Sequence, residues 1–109
     1  MLASLLGSEN SERVLIFLLA REKGYAREIA QFFDASLYAV QKQLDKLEAG
    51  GVLVSQIAGR TRLYQFSPRY PFLPELKALL EKVFSFYPED VREALLMNRR
   101  RPRGRGKSI

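Results

Sequence analysis

The side chains best placed for chemistry in this sequence are suited to recognising a partner, not to breaking bonds. Gly59-Arg60-Thr61-Arg62 puts two guanidinium groups within one short turn, and Gln41 and Lys42 stand side by side further upstream. A guanidinium offers a planar fork of N–H donors that fits an oxyanion, and a glutamine amide can donate and accept along one edge. The chain has no cysteine and no histidine. The commonest general base, the commonest nitrogen metal ligand, the neutral-pH switch and any thiolate or disulfide are thereby removed. No catalytic site, cofactor or metal is expected, and the chain does not read as an enzyme.

Composition sets the frame for these residues. A chain of 109 residues, 47% of them apolar, is long enough for one core. The net charge of +6 is unevenly spread: Arg99, Arg100, Arg101, Arg103, Arg105 and Lys107 fall in the last twelve residues without an acid, so residues 1–97 are neutral overall. The basic character belongs to the tail, and the folded part must be argued from local pattern. The longest apolar run, Val14 to Ala20, is too short to cross a bilayer. MLASLLGSENSER carries no basic leader ahead of an apolar run, so the expectation is a cytoplasmic chain without a secretory signal and without a membrane partner.

The elements that position these side chains are legible from periodicity and caps. Leu2 to Leu6 suits one helical turn broken at Gly7, and Ser8 suits the N-cap of a longer helix with Glu9 and Glu12 in its first turn. Val14, Phe17 and Leu18 give that helix its apolar face, and Gly24 is expected to end it. A short helix over Arg27–Phe33 follows. After Asp34-Ala35-Ser36, with Ser36 as the cap, a third helix runs to about Ala49, burying Leu37, Val40, Leu44 and Leu47. Gly50 and Gly51 stop it. The runs VLVSQIA and RLYQFS form a hairpin through Gly59, Arg60 and Thr61. Pro74 opens a helix extending to Phe86 at its first position, and Tyr87-Pro88 separates it from a last helix carrying Val91, Ala94 and Leu95.

Two helices joined by a tight turn and followed by a hairpin predict a mainly α (α+β) fold: a winged helix-turn-helix with a two-stranded wing and additional C-terminal helices. In that arrangement the second helix enters the major groove of double-stranded DNA with its N-terminal residues on base edges. This points to Ser36, Tyr38, Ala39, Gln41 and Lys42. Gln41 suits bidentate pairing with adenine, and Lys42 suits guanine or a phosphate. Arg27, opening the preceding helix, is expected on the backbone. Arg60, Thr61 and Arg62 at the wing tip are expected on phosphate or in the minor groove.

Ser36 to Phe66, and more widely residues 2–84, resemble the winged helix-turn-helix regulators of the ArsR and MarR type. The likeness is to the small branch that includes nucleotidyltransferase-associated domains. AVQKQLDKLEAGGVL and GRTRLYQFSPRYPFLPEL carry the resemblance most specifically. It implies DNA binding through Ser36 to Lys42 and Gly59 to Arg62, and dimerisation through terminal helices. The Cys and His ligands of metal-sensing ArsR members are absent, as are the glycine-serine loop and paired aspartates of a nucleotidyltransferase. The expected organisation is a DNA-binding unit over residues 1–70, dimerisation helices over 71–97 and a disordered basic tail over 98–109. Leu73, Leu76, Leu80, Val83 and Phe84 supply the homodimer face in this reading. The alternatives are a protein-interaction or assembly module of the same fold, and RNA binding through the Arg-Gly tail.

Overall fold

The computed structural model describes the backbone of residues 1–100 and the side chains of residues 1–96. In chain order the elements are α1 (Ala3–Leu6), α2 (Glu9–Arg21), β1 (Lys23–Tyr25), α3 (Ala26–Phe33), α4 (Leu37–Ala49), β2 (Leu53–Ala58), β3 (Thr61–Phe66), α5 (Leu73–Ser85) and α6 (Glu89–Arg100).

Helix α2 is the centre of the molecule. Its cap forms as the sequence implies, with the Ser8 hydroxyl accepting the Ser11 amide at 3.0 Å. Every residue from Val14 to Leu18 is buried, so the helix is apolar all round at its middle and has neighbours on every side. α1, α3, α4, α5, α6 and the sheet all pack on it. Val40 and Leu44 of α4, Leu53 and Tyr64 of the sheet, Leu80 and Val83 of α5 and Leu95 of α6 complete one core.

The helix-turn-helix is fixed by local chemistry. α3 ends at Asp34, which takes the left-handed conformation (φ 53°) while its amide bonds back to Ala30 and Gln31. The Ser36 hydroxyl then accepts the Ala39 amide at 3.2 Å and starts α4. At the other end, Gly51 is the left-handed residue (φ 83°) and Gly50 is not. The Val52 amide reaches the Leu47 carbonyl at 2.9 Å and the Gly51 amide reaches Glu48 at 3.0 Å, a Schellman closure.

Strands β2 and β3 pair from Leu53↔Phe66 to Ala58↔Thr61 around a two-residue turn, Gly59-Arg60. Gly59 has a positive φ of 68°, as the first central position of a type II′ turn requires. The sheet has a third strand that periodicity did not reveal. β1 pairs antiparallel with β3 through Lys23↔Gln65, Gly24↔Tyr64 and Tyr25↔Leu63, giving the order β1-β3-β2. The role expected of Gly24 is corrected accordingly. α2 stops at Arg21 with Glu22 as its cap, and Gly24 lies within β1. A Cβ there would stand 2.7 Å from the Phe17 ring, so glycine is required by close approach and not by helix termination.

The C-terminal half departs from expectation in three places. Leu80 and Val83, expected on a homodimer face, are buried in the chain's own core, because α5 turns that side toward α2. Leu73, Leu76 and Phe84 are half-buried against the same core. Leu73 opens α5, so Pro74 takes its second position. α6 continues to Arg100, past the point at which the tail was expected to begin, and residues 101–109 lie outside the described residues.

A buried acid ties this half to α2. Glu12 is 3% exposed and accepts hydrogen bonds from the Tyr87 hydroxyl, the Leu2 amide and, at 2.9 Å, the Met1 ammonium. Burial opposes its ionisation, but the bonds from the ammonium, Tyr87 and Leu2 outweigh that and hold its pKa below the ordinary carboxylate value. Burial first, and the bond to Glu12 second, push the Tyr87 hydroxyl well above the usual tyrosine range. At the other end of α2, Arg21 donates to the Leu95 carbonyl at 3.0 Å and stacks on Phe17 and Phe32.

Candidate nucleic-acid interface

Each face of α4 has a different environment. Val40 and Leu44 point inward with no exposure, Gln43 accepts the Ser11 hydroxyl, and Lys46 donates to the Leu6 carbonyl at 3.3 Å. Tyr38, 76% exposed, and Lys42 project outward. Leu37, Gln41 and Asp45, spaced four apart and hence stacked along one face, look toward the wing. Leu37 was expected in the buried stripe. It is 41% exposed, because the first turn of α4 extends beyond the core.

The third face borders a groove of about 390 Å³. Its other walls are Tyr25, Ala26 and Arg27, from the β1–α3 junction, and Arg60, Thr61, Arg62 and Tyr64 of the wing. β1 explains this convergence. Pairing Tyr25 with Leu63 holds the start of α3 beside the wing, which brings Arg27 to the same groove as Arg60 and Arg62.

Of the residues singled out in the sequence, Arg27, Gln41, Arg60, Thr61 and Arg62 therefore meet. Ser36, Tyr38, Ala39 and Lys42 do not line the groove. Ser36 and Ala39 are engaged with each other in the helix cap, Ala39 is half-buried, and Tyr38 and Lys42 stand on the adjoining open face of α4. The residues nominated from sequence did not include Tyr25, Leu37, Asp45 and Tyr64, which also line the groove. Leu37, Gln41 and Asp45 share an i, i+4, i+8 spacing that was available as a signal. Nothing local marked Tyr25 or Tyr64.

The polar contacts in and around the groove are specific. Gln41 Nε2 donates to Asp45 Oδ1 at 2.9 Å and to the Tyr64 hydroxyl oxygen at 2.9 Å. Both amide hydrogens are engaged, so the bidentate adenine pairing expected of Gln41 would require one of these bonds to break. Arg62 Nη1 donates to Ser55 Oγ at 3.1 Å, and Ser55 donates to Glu48 Oε2 at 2.8 Å. Thr61 Oγ1 donates to the Ala58 carbonyl at 3.3 Å, bracing the turn and holding Arg60 at its tip. Among the described residues, Arg27, Lys42, Arg60 and Arg62 form no ion pair. Three guanidinium groups thus line one groove with a single carboxylate, Asp45, and without an ion pair among the described residues, which leaves the groove net positive. The described residues contain no group of three or more Asp or Glu placed to hold a metal, and no helix long and apolar enough to cross a membrane.

No protein-family model matches the chain, and no curated protein matches it. Solved structures do match. A double mutant of ZitR from Lactococcus lactis, in its apo form, is 22% identical, with 88% of this chain and 80% of that chain covered and a TM-score of 0.55. The adhesin competence repressor AdcR from Streptococcus pyogenes is 14% identical, with 86% and 78% covered and a TM-score of 0.51. At these identities the likeness is one of fold, and it agrees with the order of elements described above: this chain is a mainly helical winged helix whose wing belongs to a small antiparallel sheet.

Proposed function

We propose that this chain is a sequence-specific, double-stranded DNA-binding transcriptional regulator of the ArsR/MarR type. Helix α4 enters the major groove, and the arginines of the wing lie on phosphate or in the minor groove. A winged helix can serve several functions, so the site has to carry the reading. The observation that carries it is the groove in which Arg27, Gln41, Arg60, Thr61 and Arg62 converge, with its cations unpaired among the described residues. An assembly module would have no use for that charge. One of the structures of similar fold bears the name of a repressor, which supports regulation as the purpose of binding.

The active form in this proposal is a homodimer. Phe72, Leu79 and Phe86 recur every seven residues along α5 and are 62%, 38% and 68% exposed. They mark an exposed apolar line that flanks the buried side carrying Leu80 and Val83. In this reading the line takes the place of Leu80 and Val83 as the dimer surface, while Leu73, Leu76 and Phe84 are half-buried against the chain's own core. A two-fold dimer requires a pseudo-palindromic operator.

Selecting bound fragments from the source genome at physiological salt tests the reading. Enrichment of one inverted repeat supports it, and recovery of fragments without any common sequence rejects it. Light scattering of wild type and the Phe72→Ser/Phe86→Ser double variant tests the dimer: wild type should have twice the chain mass and the variant should be monomeric.

A further inference from the structure

We infer that Tyr64 and Asp45 are positioning residues which lock the Gln41 amide with its oxygen as the available group, so that α4 reads a base bearing an exocyclic amino group. This inference rests on the DNA-binding reading above. A carboxylate at neutral pH only accepts, so the nitrogen of Gln41, and not its oxygen, must face Asp45 at 2.9 Å. The second N–H goes to the Tyr64 hydroxyl oxygen, also at 2.9 Å. Gln41 then has no donor left, and its Oε1 has no partner among the described residues.

The anchor is rigid. Tyr64 is 1% exposed, and its backbone pairs on both sides, with Gly24 of β1 and Ser55 of β2. Its hydroxyl reaches Gln41 from the edge of the core, so the orientation of a groove side chain is set by a residue that is almost wholly buried. The same arrangement accounts for Asp45. A carboxylate beside three arginines weakens a phosphate site, and Asp45 pairs with none of them among the described residues. Its bond is to Gln41.

The groove wall of α4 is therefore an acceptor surface, made of Gln41 Oε1 and the Asp45 carboxylate. In the major groove, adenine N6 and cytosine N4 are the amino donors. Guanine O6 and N7 and thymine O4 are acceptors and would be repelled. The base expected opposite Gln41 is adenine or cytosine, read through its amino group and not through purine N7.

The test uses the full chain and duplexes carrying each of the four bases at the position where Gln41→Ala abolishes preference. Wild type should favour adenine or cytosine over guanine and thymine by about 10-fold. Tyr64→Phe should reduce that preference to within about 2-fold, a change in the ratio between bases that a loss of stability alone would not give. Asp45→Asn lies on the surface and serves if Tyr64→Phe folds poorly. It frees the amide to rotate and should admit guanine or thymine. If adenine is the base, 7-deazaadenine should bind as adenine does, and purine lacking the amino group should not. An unchanged preference in Tyr64→Phe and Asp45→Asn, or a loss with 7-deazaadenine equal to that on removing the amino group, overturns the inference while leaving DNA binding intact. A wild-type protein without base preference at any position overturns both.

Discussion

Glu12 and Arg62 are both charged side chains held by hydroxyl groups, yet their surroundings are opposite. Glu12 is buried and takes bonds from Tyr87, from the Leu2 amide and from an ammonium, which together balance the cost of removing its charge from water. Arg62 is exposed, has a single neutral partner in Ser55, and lines one groove with Arg60, Arg27 and Asp45, none of the three arginines being in an ion pair among the described residues. One cluster is complete within the chain and joins α2 to the start of α6. In the proposed function, the other is completed by a phosphate of the bound duplex. A charge satisfied internally contributes to stability, and a charge left in water beside others of its sign is available for binding. The two clusters should therefore respond to mutation in different assays.

The largest effect is expected at the buried cluster. Glu12→Ala leaves the Tyr87 hydroxyl and the Leu2 amide without an acceptor, and should lower unfolding free energy by about 3 kcal/mol in urea denaturation. Non-specific DNA affinity per folded molecule should not change. Gly24→Ala places a methyl group against the Phe17 ring and should cost about 2 kcal/mol by overpacking, read in the same denaturation assay. A glycine acting only as a helix stop would show a far smaller loss there.

Acid should act on the same cluster. The pKa of Glu12 in the folded chain lies below its ordinary value of 4.5. The stability it contributes is thus fully present above that value and is lost as pH falls through the lower, folded one. The urea midpoint of wild type should fall below about pH 4.5, and Glu12→Gln should flatten that part of the profile. At the groove the smallest stability change goes with the clearest binding change. Arg60→Ala with Arg62→Ala should alter unfolding free energy by less than about 0.5 kcal/mol. It should also make the slope of log affinity against log salt shallower by about 2, one contact for each arginine. An unaltered slope would remove both side chains from the phosphate interface.

Much of the scaffold was legible because it is encoded locally. Ser8 and Ser36 cap the helices their positions announce, Gly51 and Gly59 adopt the positive φ their turns need, and the apolar periods of α2 and α4 place Val14, Phe17, Val40 and Leu44 in the core. Each of these depends on neighbours within a turn or two of the same segment. The set Arg27, Gln41, Arg60, Thr61 and Arg62 was also readable as a list, since residue type and order suffice to nominate it.

The sequence by itself determined which segments become helices, the caps at Ser8 and Ser36 that start two of them, and which residue types stand at the wing. Tertiary structure alone decided how those residues meet. β1 is three residues long and carries no alternating pattern, so only its pairing with β3 creates it, and only that pairing brings Arg27 to the groove. α5 is apolar on more than one side, and contact with α2 determined that Leu80 and Val83 turn inward while Phe72, Leu79 and Phe86 remain outside. The direction of the Gln41 amide depends on Asp45, one turn away, and equally on Tyr64, which β3 delivers from a different element. Caps and periodicity act within a segment, whereas strand pairing, helix burial and side-chain orientation depend on groups far apart in the chain, whose proximity no single segment encodes.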